Sequence, residues 1–102
     1  MMQPDAIIHV RFLTPAEGGR SKSITGSSYG CPLFIDGRGF DCRIMLDELQ
    51  LDLGREYDLP IKFLNRSLAM PFLAQGKAIS LWEGKEIATG TITELPSTGA
   101  SM

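Results

Sequence analysis

Few residues in this chain could do covalent or acid–base chemistry, and their spacing does not bring them together. His9 is the only histidine. As a general base it would need a nucleophile and an orienting acid, and no residues at a telling spacing supply them. Its place on the outward side of an alternating apolar segment predicts a solvated or interstrand role. Cys31 and Cys42 are the only cysteines. They lack a Cys-x-x-Cys arrangement, and with one histidine they cannot complete an ordinary zinc site. Asp36, Asp41, Asp47, Glu48 and Asp52 form an acidic stretch, read as solvated surface with a basic protein partner as the alternative. No Gly-x-x-x-x-Gly-Lys-Ser/Thr run cradles a phosphate, so nucleotide binding of that kind is not expected. The expectation is no catalytic set, no metal and no cofactor, which leaves binding as the function class.

Binding chemistry concentrates at two places. Glu17-Gly18-Gly19-Arg20 follows the first apolar segment, and Trp82-Glu83-Gly84-Lys85-Glu86-Ile87-Ala88-Thr89-Gly90 lies near the other end. The paired glycines admit a tight bend. Arg20 either grips a phosphate or partner carboxylate with its planar fork, or holds the bend by pairing with Glu17 or capping loop carbonyls. Trp82 shares a strand face with Ser80, opposite Ile79 and Leu81. It either anchors a partner, as exposed tryptophans often do, or packs inward after a bulge. Arg20, Ser21, Lys22, Tyr29, Arg66, Trp82, Glu83 and Lys85 are the candidate partner-binding residues. The main expectation is an unknown protein partner, met through the Ser21–Gly30 loop, Trp82 and the Glu83–Lys85 turn. The alternative is RNA, held by a one-sided patch of Arg11, Arg20, Lys22, Lys62, Arg66 and Lys85. A small enzyme fares worst.

These residues must be positioned by strands. Ala6–Leu13 alternates, with Ile8, Val10 and Phe12 on the apolar face. Thr14–Gly30 reads as a loop of seventeen residues, long enough to be functional or mobile. Cys31–Ile35 and Phe40–Leu46 pair around Asp36-Gly37-Arg38-Gly39, since Asp-Gly favours a hairpin turn. That pairing flanks the turn with Cys31 and Cys42, expected as reduced, partly buried thiols. Leu49, Leu51 and Leu53 alternate in a strand or extended loop, and Gly54-Arg55-Glu56 turns the chain. Tyr57, Leu59, Ile61 and Phe63 alternate next, with Pro60 implying an edge or bulge. Met70–Ala74 reads as one helical turn, followed by strands Lys77–Trp82 and Glu86–Leu95. Short strands separated by turn signals, without a convincing helix, predict an antiparallel barrel or sandwich.

With 102 residues there is room for one domain, placed at residues 6–95 between an N-terminal tail, 1–5, and a flexible C-terminal tail, 96–102. The net charge of −2 and pI near 5.3 argue against a general polyanion-binding surface. No run approaches the roughly 20 apolar residues of a membrane span, and no secretory signal opens the sequence, so a cytoplasmic protein is expected. Self-association through an exposed strand edge is a further expectation.

Val10-Arg11-Phe12-Leu13 leading into Glu17-Gly18-Gly19-Arg20, then Tyr29, Pro32 and Phe34, resembles the start of the C-terminal barrel domain of elongation factor Tu. The resemblance resumes at Ile61-Lys62-Phe63, Leu68-Ala69-Met70 and Gly76, and closes with Ile79–Gly84 and Gly90. It spans roughly residues 6–95 and is weak between 36 and 56. It implies an all-β, six-stranded antiparallel Greek-key barrel standing without the family's nucleotide-binding domain. It also implies a link to translation, because that domain contacts transfer RNA and protein partners. Arg20 matches an arginine near the RNA backbone. Ser21 stands where the family usually has histidine, Leu33 where it has an RNA-facing glutamine, Trp82 where it has arginine, and Lys85 where it has a second glycine. These departures shift the expected contacts from transfer RNA toward a protein partner.

Overall fold

A computed structural model describes residues 3–96. Six strands, β1 (Ala6–Phe12), β2 (Ser28–Ile35), β3 (Arg38–Met45), β4 (Glu56–Phe63), β5 (Ala78–Trp82) and β6 (Glu86–Glu94), close into an antiparallel barrel. Their order around it is β1-β4-β3-β2-β5-β6. The β1–β2 connection therefore crosses the barrel and leaves β1 beside β4, which is Greek-key connectivity. The strand pattern left a barrel or a sandwich open, and the observed architecture is the all-β, six-stranded barrel that the resemblance implies. Closure gives each strand a paired neighbour on both sides.

Period-two alternation fills the barrel. Ile8, Val10 and Phe12 of β1 point inward with Leu33 and Ile35 of β2, Cys42 and Ile44 of β3, Leu59 and Ile61 of β4, Leu81 of β5, and Ile87 and Ile92 of β6. The β2–β3 hairpin turns on two residues, Asp36 (φ 52°) and Gly37 (φ 76°), both in the left-handed region that such turns require. The tighter turn extends β3 back to Arg38, and it sets Cys31 directly opposite Cys42. Both are buried, unbridged thiols. The hydrogen bond from Cys31 and the burial of the pair push the Cys42 thiol well above its ordinary pKa. Pro60 sits where the β3–β4 ladder stops, one residue beyond the Ile44↔Ile61 pair, so its missing N–H breaks no bond on that side.

Several local expectations are corrected. The Thr14–Gly30 segment is not unstructured. Thr14 caps a 3-10 turn over Pro15–Glu17 through a capping box, Ile24 forms a bridge with Leu51, and β2 starts at Ser28. That bridge also settles the Leu49–Leu53 stretch as an extended loop in which Leu51 is buried and Leu49 exposed. The helical segment starts earlier than Met70. A short helix, α1 (Arg66–Ala69), runs into a 3-10 turn, Met70–Phe72. Asp5 is not part of a loose tail: its N–H bonds the Ile61 carbonyl at 2.7 Å, and its carboxylate receives the Phe63 N–H at 2.8 Å. The tail expected at 96–102 lies, beyond Pro96, outside the described residues.

Candidate functional site

The β2–β5 seam is the shortest in the barrel. These strands pair only at Leu33↔Leu81 and Phe34↔Ser80. Beyond that point a side-chain clasp joins them. Tyr29, near the start of β2, donates its hydroxyl to Glu83 Oε1 in the β5–β6 turn at 2.9 Å. Arg20 Nη1 donates to the same Glu83 oxygen, and to Tyr29 Oη at 3.3 Å. The guanidinium lies 5.4 Å from the Tyr29 ring centroid, and its Nε donates to the Lys22 carbonyl at 3.1 Å. Of the two expected ways of holding the bend, Arg20 caps the loop carbonyl of Lys22 and does not pair with Glu17. Glu17 instead receives Arg11 Nη1 at 3.0 Å and the Thr14 N–H at 2.8 Å.

The glycine pair delivers Arg20 to this clasp. Gly18, with φ 89°, ends the 3-10 turn, and Gly19 then passes so close to β1 that a Cβ would stand 2.2 Å from the Leu13 carbonyl oxygen. Electrostatics follow the geometry. Hydrogen bonds from Arg20 and then Tyr29 hold the Glu83 carboxyl below the usual range. Burial, and next the Glu83 carboxylate that its hydroxyl meets, push the Tyr29 phenol well above its ordinary value.

Around the clasp opens a cleft of about 370 Å³ lined by Arg20, Ser21, Lys22, Glu83 and Lys85. The β1–β2 loop supplies one wall and the β5–β6 turn the other. Arg20 is shared with Glu83, while Lys22 and Lys85 have no ion-pair partner among the described residues. Three cations face one carboxylate, an arrangement that attracts anions.

Of the candidate residues, Arg20, Ser21, Lys22, Tyr29, Glu83 and Lys85 meet here. Trp82 lies beside the cleft on the outer face. It is half-buried after a register shift at Leu81/Trp82 and packs on Phe34 with ring centroids 5.0 Å apart. Arg66 lies elsewhere: its Nε pairs with buried Asp5 at 2.9 Å, and Lys62 stands 3.8 Å from the same carboxylate. The proposed basic patch is thus divided, with Arg11 on Glu17 and the Lys62–Arg66 pair on Asp5. Sequence spacing carried no sign of this, because Asp5 and Arg66 are distant in the chain.

His9 stands across from β4, where Nδ1 meets Asp58 Oδ1 and Nε2 meets Glu56 Oε1, each at 2.7 Å. Both ring nitrogens thus face carboxylates, and the imidazole is partly exposed on the outer side of the barrel. The group of Asp36, Asp41, Asp47 and Glu48 is exposed, and Asp36 pairs with Lys77. No three histidine, cysteine or acidic side chains among the described residues are grouped to hold a metal. No helix among them is long and apolar enough to cross a membrane.

No protein-family model matches the chain, and a search of curated proteins returns no match.

Proposed function

We propose that this chain is a non-enzymatic protein-binding module that holds an acidic segment of its partner in the cleft between the β1–β2 loop and the β5–β6 turn. The observation carrying this reading is that Lys22 and Lys85 line the cleft without ion-pair partners while Arg20 is held rigidly between them and Glu83. A carboxylate of the partner gains charge-assisted hydrogen bonds there without breaking the clasp. A partner in translation is suggested only by the resemblance to the elongation factor Tu barrel domain, an analogy of fold.

An extended RNA surface receives less support. Arg11, Lys62 and Arg66 would first have to leave their carboxylates, since Glu17 and Asp5 already pair with these three cations. The test is purification of the tagged protein from its source cell, with and without Lys22→Glu and Lys85→Glu. A bound protein that is lost in the double variant, and released by salt, supports the reading. Retention of the same partner by the double variant would sink it. Nuclease-sensitive binding of RNA at low salt would favour the alternative.

A further inference from the structure

The β5–β6 turn has a second groove on its other flank. It measures about 410 Å³, and its lining includes Phe34, Trp82, Ser80, Asp36 and Glu86. Its chemistry is the reverse of the first. Two aromatic rings, inclined at 46°, supply π-faces, and the Trp82 indole is oriented by the bond from its Nε1 to Ser80 Oγ at 2.9 Å. No lysine or arginine lines the groove. Asp36 is paired with Lys77, whereas the Glu86 side chain has no hydrogen bond or ion pair among the described residues. Elsewhere this protein lays its own guanidinium groups on aromatic rings, Arg20 on Tyr29 and Arg38 on Phe72 at 5.0 Å. Trp82 has no such cation among the described residues.

We infer that this groove receives an arginine side chain of the partner, stacked on Trp82 with its fork turned to Glu86. This inference rests on the protein-binding reading above and extends it. Arginine fits better than lysine because a planar guanidinium stacks on an indole and donates in two directions, whereas an ammonium is a compact point charge. Trp82 and Glu86 are cross-strand neighbours at the base of the turn, and Glu83 and Lys85 sit at its tip. One turn therefore separates a cation-lined cleft from an aromatic, acidic groove. The partner segment that fits both carries a carboxylate and an arginine, and it crosses the turn between them.

Trp82 is the only tryptophan, so its indole N–H signal in a proton–nitrogen spectrum reports this groove alone. The probe is an acetylated arginine dipeptide amide, with the neutral citrulline dipeptide as its control, titrated into the full chain. The expected result is a saturable shift of the indole signal with the arginine probe and none with citrulline. Glu86→Gln, a change on the exposed surface, should weaken the response roughly threefold, the scale of an exposed ion pair. Equal responses to the two probes, or an arginine response insensitive to Glu86→Gln, would overturn the inference. A normal arginine response in a protein that captures no acidic partner would count against the cleft reading alone.

Discussion

His9 of β1 is tied to β4 through two carboxylates. Each ring nitrogen faces a carboxylate, and the hydrogen bond with Glu56, then that with Asp58, raises its pKa above the usual 6.5. A raised folded value means the interaction stabilises the fold fully below the unfolded pKa of 6.5, and that this stability is lost as pH rises through the higher folded value. Proton titration of the imidazole signals should show that elevated pKa, and it should fall in Glu56→Gln. A His9 titrating at or below the ordinary value would contradict the paired geometry. Glu83 offers a second test at this scale. Glu83→Gln removes the carboxylate but leaves the burial that is the larger cause of the Tyr29 shift. The Tyr29 phenol pKa should therefore drop yet remain above 10.0. Carbon-labelled tyrosine spectra separate Tyr29 from Tyr57, and an unmoved Tyr29 would show that the clasp does not form.

At the scale of elements, the two glycine-containing signatures act through close approach more than through loop freedom. A Cβ at Gly90 would stand 1.8 Å from the His9 carbonyl oxygen, because β6 passes β1 with no room for a side chain. Gly90→Ala must displace backbone, and it should cost about 3 kcal/mol or more, within the range of severe single changes. Urea unfolding measures it, and a loss below about 1 kcal/mol, an average substitution, would mean the strands separate more easily than they are packed. The Glu17-Gly18-Gly19-Arg20 bend was legible as a bend because adjacent glycines signal one directly. What it delivers was not legible. Arg20 reaches a carboxylate sixty-three residues away in sequence, whereas the nearer acid, Glu17, is taken by Arg11 and the Thr14 cap.

For the whole molecule, the closed barrel makes cohesion uneven around its circumference. β1 pairs along nearly its full length with both β4 and β6, but β2 meets β5 at two residue pairs and relies on the Arg20–Tyr29–Glu83 clasp beyond them. Arg20→Ala should raise amide hydrogen exchange at Leu33, Phe34 and Leu81 while leaving the β1–β6 ladder protected. Uniform acceleration across all strands would show that the seam opens only with global unfolding. The candidate cleft sits at this seam, so the same side chains close the barrel and shape its surface.

The strands themselves, their inward faces and the Asp36-Gly37 turn could be read from the chain, because period-two alternation and left-handed turn residues are local properties. The helical start at Arg66, the bridge of Ile24 to Leu51 and the burial of Asp5 could not, since each depends on a partner far along the chain. The site divides in the same way. Arg20, Lys22, Trp82, Glu83 and Lys85 were recognisable as exposed or charged residues at turns. Only folding decided that loop and turn would face each other, that Arg66 would turn to Asp5, and that Trp82 would lie over a separate groove. Sequence neighbours set local conformation, whereas barrel closure sets which distant charges come within reach of one another, and that proximity determines their pairing.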